Sequence, residues 1–404
     1  MLISKKIRTF LPGFYIIIIL AVINSCREET FSPSQADSFI KFFGNYYKDE
    51  GFDIRSLNDG GYLLLGTTTT EDAGTNIVLI RTDKYGNEVW EPKQFGGLHD
   101  DRAYSLAELS DGSFAILGST TVEAENGTLV SNMYLLKTNS RGDTLWTRNY
   151  GGYSNETGFN LAETSDGGFI LIGSTESLNS RDKDIILVKT DPEGFEQWSR
   201  VHGGPSDDVG TYVVETDYGY IYTGYTRSYS QSGQANSNIF IVKTNHLGRV
   251  TYPFTYGSTG DDYGKSLVPM PEGGYLILGT TTDPGTDIKN VFLARVEEDI
   301  SNTLWVEEYG GQTNHVASCI KVTNEGNFVI TGTQEISSGN HVMFLLKTDN
   351  NGSQQFLRTF GGSGHQRAEA IDLARDGGYV ITGSNELGGN SMITLIKTTS
   401  DGDL

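Results

Sequence analysis

One pattern recurs from residue 38 to the end of the chain, and it limits the fold more than any other feature of the sequence. Its clearest copy, residues 158–204, contains four short apolar segments, GFNLAETS, FILIGST, DIILVKTD and EQWSRVHGG, separated by turn residues. Such a unit has apolar residues on both faces of most of its strands and cannot bury them alone, so copies must stack side by side. The sequence therefore predicts one repeat domain built of short strands.

A bulky residue on the fourth strand gives the period of the repeat. It stands at Phe39, Trp90, Trp146, Trp198, Tyr252, Trp305 and Phe356, with gaps of 51 to 56 residues. A period near 50 with four strands per unit is typical of propeller blades. We therefore predict an all-β fold, a seven-bladed β-propeller of four-stranded blades.

The two ends of the repeat region complement each other. The last copy stops at Leu404 without the aromatic residue and glycine pair of a fourth strand, whereas residues 38–44, SFIKFFG, have the spacing of that strand. We expect this N-terminal strand to complete the last blade and close the ring. Closure removes the open sheet edges that promote aggregation.

The N-terminus has a secretory layout, with a basic start, an apolar run of about ten residues and Ser25 directly before Cys26. That run is shorter than the roughly 20 residues of a spanning helix. The segment INSC at 23–26 resembles the bacterial lipoprotein box. We predict a lipoprotein signal peptide at 1–25, lipidation at Cys26, a lipidated tether at 26–37 and the propeller at 38–404. The alternative is an ordinary signal peptide with an incidental cysteine.

The charge balance excludes two classes of partner. Lys and Arg number 30 against 51 Asp and Glu, a formal net charge of −21. Such a surface repels nucleic-acid phosphates and anionic lipid head groups. We expect no nucleic-acid partner and contact with the membrane only through the lipid anchor. Sugars, cations and proteins are compatible with this charge.

The motifs IGS at 172–174 and LVKTD at 187–191, with Gly194 four residues before Trp198, resemble the repeats of quinoprotein dehydrogenases and of the lipoprotein BamB. A closer resemblance is to uncharacterised bacterial β-propeller repeat lipoproteins of the type GGYILTGST…LIKTD…G…W…YGG. That resemblance covers residues 38–404. It implies the fold and no activity.

One acid-rich column follows the fourth strand of each repeat and marks a candidate binding rim. Its members are Asp49, Asp101, Glu156, Asp208, Asp262, His315 and Gln366. Carboxylates around one rim would attract a hard cation such as Ca²⁺. The alternative is that each side chain accepts backbone N–H bonds in its own turn, and recurrence in successive blades favours this alternative. We predict no bound metal or other cofactor, with Ca²⁺ as the exception to test.

Two departures from the repeat mark further candidate residues. Arg55, Lys321 and Asp372 occupy a position of the innermost strand that holds Ala or Val elsewhere, so they either pair across the closure or line the channel.

The long loop after the second strand of the fourth repeat carries Tyr225, Arg227 and Tyr229. Aromatic and polar side chains of this kind suit contact with a sugar or a protein, and a polar loop without a ligand is the alternative.

The sequence contains no nucleophile elbow, P-loop, zinc spacing or paired catalytic acids, and its six histidines do not cluster along the chain. We assign no catalytic residue. We predict a monomeric, non-enzymatic lipoprotein of the bacterial cell envelope, lipid-anchored at the outer membrane. Exposure on the cell surface is compatible with this prediction. It acts as a binding or scaffold propeller for an envelope protein or glycan. The alternative is a carbohydrate-active enzyme with a carboxylate pair among the rim acids.

Overall fold

The computed structural model describes residues 37–45, 47–70, 74–124, 127–176, 182–229 and 236–404. These residues form antiparallel strands and turns, and no helix occurs among them. The signal and tether segments predicted at 1–25 and 26–37, including Cys26, lie outside the described residues except for Asp37.

The strands follow one another in groups of four along the chain. The first strand, β1 (Phe39–Phe43), precedes β2 (Asp49–Ser56), β3 (Tyr62–Thr70), β4 (Gly74–Thr82), β5 (Lys93–Phe95); β6 (Asp101–Glu108), β7 (Phe114–Glu123), β8 (Leu129–Thr138), β9 (Thr144–Tyr150); β10 (Glu156–Glu163), β11 (Phe169–Thr175), β12 (Asp184–Thr190), β13 (Glu196–His202); and β14 (Asp208–Thr216), β15 (Gly219–Thr226), β16 (Asn238–Thr244), β17 (Val250–Tyr256). The remaining strands are β18 (Tyr263–Pro269), β19 (Tyr275–Thr282), β20 (Lys289–Val296), β21 (Thr303–Tyr309); β22 (His315–Val322), β23 (Phe328–Ser337), β24 (Asn340–Thr348), β25 (Gln354–Phe360); and β26 (His365–Leu373), β27 (Tyr379–Leu387), β28 (Asn390–Thr398).

Each group is a meander in which consecutive strands pair antiparallel. The groups β2–β5, β6–β9, β10–β13, β14–β17 and β18–β21 are separate four-stranded sheets. The group β22–β25 and the group β26–β28 are joined in one sheet by a parallel bridge between His341 and His365. Strand β1 pairs with β28 along five residues, from Phe39 opposite Lys397 to Phe43 opposite Ile393.

Hairpin turns of the Asp-Gly type connect the first two strands of most groups. In the turn between β10 and β11, Gly167 has a φ of +80°, a value that glycine adopts at little cost and other residues rarely adopt. The fourth strand of the first group is shorter than its repeat predicts. Trp90 precedes β5, and Pro92, which has no amide hydrogen to donate to a ladder, separates the two.

The hydrophobic core lies between neighbouring groups. One cluster packs Leu63 and Ile77 of the first group against Leu106 of the second. Another packs Leu64 of the first group against Val380 of the last. Because the core clusters are shared between neighbouring groups, the strand interiors are apolar on both faces.

A cation near the end of each third strand recurs in register, and most members of the column pair with an acid of the turn between the first two strands of their own group. These pairs are Arg81 with Asp59, Lys137 with Asp111, Lys189 with Asp166, Arg295 with Glu272 and Lys397 with Asp376. Lys243 instead pairs with Glu298 of the following group at 3.7 Å. The Lys347 ammonium lies over the rings of Phe356 and Tyr379.

Among the residues that the structure describes, no helix has the length and apolar character needed to cross a membrane.

Candidate functional site

The first strands of all the groups line one cavity, which we call the channel. This cavity of about 300 Å³ opens between them, and each of these strands contributes residues to its wall. The lining residues are Phe52, Asp53, Arg55, Tyr104, Ser105, Phe159, Asn160, Thr211, Tyr212, Lys265, Ser266, Ser318, Cys319, Lys321, Glu369 and Ala370. A cavity of this volume lies at the lower end of the range for small-ligand sites.

A β-bulge in every first strand determines which residues face the channel. Between a small residue and the residue two positions later, the register with the second strand shifts by one, for example between Gly158 and Asn160. We call the seven residues at the shift the bulge ring: Phe52, Tyr104, Phe159, Thr211, Lys265, Ser318 and Glu369. All of them are half-buried and line the cavity.

The residue before each bulge is Gly or Ala because the neighbouring group packs directly against it. A side chain at Gly210 would meet the Ile172 side chain at 2.4 Å, and one at Gly158 would meet Leu117 at 2.7 Å. Distances below 3.0 Å between such atoms do not occur without a shift of the neighbour. The small residue therefore lets adjacent first strands approach closely around the channel.

Three consecutive members of the bulge ring are aromatic. The ring centroids of Phe52 and Tyr104 lie 5.4 Å apart at 66°, and those of Tyr104 and Phe159 lie 5.3 Å apart at 61°. Both are edge-to-face contacts, the arrangement that aromatic quadrupoles favour. The three side chains form a continuous apolar arc on one side of the channel.

The other side of the bulge ring is polar and charged. Lys265 and Glu369 make no hydrogen bond or ion pair with the described residues. Burial raises the pKa of the Glu369 carboxyl, although the nearby Lys265 and Arg367 act to lower it. The Thr211 hydroxyl donates a hydrogen bond to the Gly264 carbonyl at 3.0 Å. The site therefore presents a cation and a carboxyl group, both without a fixed protein partner, opposite an apolar arc.

Side chains one position after the bulge ring accept hydrogen bonds from the backbone of a neighbouring group. The Asp53 carboxylate accepts a hydrogen bond from the Leu106 N–H at 2.8 Å. The Asn160 carbonyl oxygen accepts one from the Val213 N–H at 3.0 Å. These buried acceptors are occupied by backbone donors, so they hold the first strands in place around the channel.

Arg55, Lys321 and Asp372, the charges predicted to pair across the closure or line the channel, make ion pairs within one strand and between the last two groups. Arg55 contacts Asp53 at 2.6 Å, and Lys321 contacts Asp372 at 3.6 Å. Asp372 also accepts the Ser56 N–H at 2.8 Å, which links the last group to the first. Desolvation and Arg55 act to lower the pKa of Lys321, but Asp372 and other neighbours raise it overall. Arg55 and Lys321 belong to the cavity wall as well.

Each carboxylate of the predicted rim is buried and accepts a backbone N–H from the turn just before it. Asp208, for instance, is fully buried and accepts hydrogen bonds from the Gly204 N–H at 2.9 Å and the Ser228 hydroxyl at 2.7 Å. Equivalent backbone bonds reach Asp49, Asp101, Glu156, Asp262 and Gln366, whereas His315 contacts the Thr313 carbonyl. No group of three or more His, Cys, Asp or Glu in the described ranges is arranged to hold a metal ion.

Of the three residues predicted on the long loop, Tyr225 lies within β15, whereas Arg227 and Tyr229 follow that strand, and their contacts are separate. Tyr225 meets Tyr263 edge-to-face with centroids 5.1 Å apart. The Arg227 guanidinium donates to the Ser237 hydroxyl at 3.0 Å. The Tyr229 hydroxyl donates to the Gly203 carbonyl at 2.7 Å, and its ring stacks on Phe240. None of the three belongs to the channel wall.

Sequence analysis missed the bulge ring. The bulge adds one residue to the first strand, so a strict two-residue alternation assigns the channel face to the wrong residues beyond it. A signal was present nonetheless. In every copy the channel residue directly follows the Gly or Ala of the first strand, as in Gly51 before Phe52 and Ala368 before Glu369.

No protein-family model matches this sequence. The regulatory protein FlaEY of Caulobacter vibrioides is 30% identical over 138 residues, which cover 31% of this chain and 14% of that protein. The chain therefore spans a small part of the length of this curated relative.

Solved structures resemble the whole strand region. The β-propeller domain of the Trilobed protease from Pyrococcus furiosus, with an open velcro topology, has a TM-score of 0.51 and 12% identity over 89% of this chain and 96% of that one. A quinohemoprotein alcohol dehydrogenase from Comamonas testosteroni has a TM-score of 0.45 and 9% identity over 89% of this chain and 76% of that one. At such identities the likeness concerns the fold alone. The meandering four-stranded sheets and the likeness to the Pyrococcus domain show that this chain is an all-β protein with a β-propeller fold.

Proposed function

We propose that the chain is a seven-bladed propeller closed by its N-terminal strand. Three observations support this. The seven first strands all line one channel, β1 supplies the fourth strand beside β28, and one core cluster contains residues of both the first and the last group. The Pyrococcus domain, by contrast, has an open velcro topology. Removal of residues 38–44 should lower the melting temperature sharply, and an unchanged melt would contradict the closure.

We further propose that this propeller is a non-enzymatic, monomeric lipoprotein of the bacterial cell envelope, anchored at the outer membrane through acylated Cys26. The support is the sequence around Cys26, since two or three acyl chains are sufficient for stable anchoring. Radiolabelled fatty acid should enter the full chain and should be absent from a Cys26→Ala variant. A wild-type chain that stays unlabelled in its native host contradicts the anchor.

The function that this geometry supports best is the binding of a glycan at the channel. The observation that carries the proposal is the asymmetry of the bulge ring. Structurally equivalent positions hold an aromatic arc on one side and Lys265 and Glu369 on the other. Sugars combine apolar C–H faces, which pack on aromatic rings, with hydroxyls that hydrogen-bond to charged and polar groups. A channel of about 300 Å³ suits one end of a glycan chain.

The arrangement of the channel carboxylates favours binding over catalysis. Glycoside hydrolysis commonly needs two carboxyl groups facing the same bond. Of the two carboxylates that line the cavity, Asp53 contacts Arg55 and accepts backbone N–H groups of Ile54 and Leu106. Glu369 is therefore the one channel-lining carboxyl among the described residues whose oxygens are not engaged.

A glycan array with the full chain in mild detergent, followed by calorimetry on the best oligosaccharide, tests this function. Tyr104→Ala should weaken binding about tenfold or more, because it removes the centre of the arc. Tyr218→Ala is the matched control, since Tyr218 is 73% exposed and lies outside the channel wall. Thermal melts of both variants check that the fold is retained.

Three outcomes count against glycan binding at the channel. These are an array without any bound glycan, equal affinities of the Tyr104→Ala and wild-type chains, and capture of a protein by crosslinking in the native envelope that Tyr104→Ala abolishes. Hydrolysis of a bound glycan that is lost in Glu369→Gln would instead establish the carbohydrate-active enzyme.

A further inference from the structure

One recurring hydrogen bond fastens neighbouring groups at the rim. At five junctions, the residue directly before the rim residue accepts, through its side-chain oxygen, the backbone N–H at the start of the preceding group's third strand. Lys48, before Asp49, has no side-chain oxygen to do so. This bond joins Asp100 to Thr75, Asn155 to Ser131, Asp207 to Lys183, Asp261 to Ser237 and Asn314 to Lys289, at 2.8 to 3.1 Å. We call these positions the junction column.

At the junction between the β22–β25 and β26–β28 groups, the junction column holds histidine instead. His365 takes the place of the Asp or Asn, and its partner position is His341. The Nδ1 atoms of the two imidazoles lie 2.9 Å apart, and their rings stack with centroids 5.0 Å apart. The fold has thus brought together two histidines that are 24 positions apart in the sequence.

The backbone at this junction is held without the imidazoles. The Gly364 N–H donates to the Asn340 side-chain oxygen at 3.0 Å, and the His341 N–H donates to the Gly364 carbonyl at 3.1 Å. These two bonds connect the neighbouring groups here, as an Asp or Asn side chain does at the five junctions named above. The His341 and His365 rings are therefore not needed to fasten the two groups.

The separation of the two nitrogens matches that of two ligands on one metal ion. Zn–N bonds of about 2.0 to 2.1 Å place neighbouring nitrogen ligands about 2.9 to 3.4 Å apart, depending on the angle at the metal. Imidazole suits Zn²⁺, Cu²⁺ and Ni²⁺, whereas Ca²⁺ and Mg²⁺ prefer oxygen. The strongly acidic chain attracts divalent cations to its surface.

Two glutamates continue the row of histidines across the sheet. Glu335 lies opposite His341 in β23, and Glu386 lies opposite His365 in β27. Glu335 accepts a hydrogen bond from the Asn314 amide at 2.6 Å, whereas Glu386 makes no hydrogen bond or ion pair with the described residues. In the described part of the chain no third such ligand is close enough to complete a metal site. In a metal site here, water would complete the coordination unless the Glu386 side chain turned toward the ion.

We propose that His341 and His365 form a two-histidine binding site for a late first-row divalent metal ion, Cu²⁺, Ni²⁺ or Zn²⁺, at this junction. The site is independent of the channel. It uses both imidazoles in their neutral form, each donating one nitrogen lone pair to the ion. The ion replaces the single hydrogen bond that two Nδ1 atoms can share.

Calorimetry with CuCl₂, NiCl₂ and ZnCl₂ on the full, untagged chain in mild detergent tests the proposal. One ion should bind per chain, most tightly Cu²⁺, as the Irving–Williams order requires. His341→Ala and His365→Ala should each lower the affinity about tenfold or more. His99→Ala is the matched control because His99 is exposed and belongs to no such pair among the described residues.

A second variant separates metal binding from folding. His365→Asn gives this junction the residue type of Asn155 and Asn314, so the melting temperature should stay at the wild-type value or above while the Cu²⁺ affinity falls as in His365→Ala. Electron paramagnetic resonance of the Cu²⁺-loaded wild-type chain should show two coordinating nitrogens. No uptake of any of the three ions, unchanged affinity in either histidine variant, or a single coordinating nitrogen would overturn the site.

Discussion

The rim column and the bulge ring lie only three residues apart on the same strands, yet they follow opposite rules. The rim residue is buried at each group, and its side chain contacts its own turn, although one carboxylate oxygen of Asp101 and one of Asp208 have no partner among the described residues. The bulge residue is half-buried and changes from aromatic to hydroxyl to charged around the channel. A residue that the fold needs recurs in every copy, whereas a residue that a ligand selects is free to differ. Variation within a repeat is therefore the better guide to a binding site.

Removal of a rim carboxylate is the strongest test of this difference between the rim column and the bulge ring. Asp208→Ala leaves the Gly204 N–H without its acceptor and leaves the Ser228 hydroxyl only the Ser206 carbonyl. Loss of hydrogen bonds to a buried charged group should cost about 2 to 3 kcal/mol of unfolding free energy. Urea unfolding at neutral pH measures it, with the exposed Glu193→Ala as control. A loss of unfolding free energy below about 0.5 kcal/mol would show that the fold does not depend on the rim carboxylate, and would favour a functional role for the rim column.

A second experiment measures how the stability that Asp166 contributes depends on pH; Asp166 belongs to the acids that recur in the turn between the first two strands. Desolvation acts to raise the pKa of the Asp166 carboxyl, but hydrogen bonds from the Thr164 hydroxyl, the Lys189 ammonium and a backbone N–H lower it to about 2. Because this pKa is below the unfolded value of about 3.9, the stabilisation is present above about pH 4 and is lost as the pH falls toward 2.

The effect at Asp166 should be less than about 1 kcal/mol, since the carboxyl is 53% exposed and solvent screens its ion pair. Melting temperatures of the wild-type and Asp166→Asn chains, recorded from pH 5 to pH 2.5, measure it. The variant should lose less stability over this range than the wild type. Parallel pH profiles would contradict the assigned contribution.

The smallest expected change in stability is at the bulge ring. Burial raises the pKa of Glu369, so the ionised carboxylate is disfavoured in the folded chain at neutral pH. Glu369→Gln removes that cost and should leave the unfolding free energy unchanged or raise it by up to about 1 kcal/mol. The same urea measurement applies. A clear loss of stability would place Glu369 among the residues that maintain the fold.

The repeat columns predicted much of the fold because they record local requirements. One copy of the repeat is enough to predict the Asp-Gly turn of residues 166 and 167 and the apolar strand that begins at Phe169, and the other copies show the same pattern. The channel face was not predictable in the same way, since a bulge after Gly158 shifts the alternation by one residue. The contact between His341 and His365 depends on the register of two strands in different groups, which no local pattern encodes.

The pairing of Phe39 with Lys397 also sets an order of events during folding. Every other strand meets a partner from its own neighbourhood in the chain, so most groups form from contacts that are local in sequence. Strand β1 has no partner until almost the whole chain has been made. Until then an apolar edge strand is open to other chains, and this is the interval in which we expect the protein to depend most on chaperones.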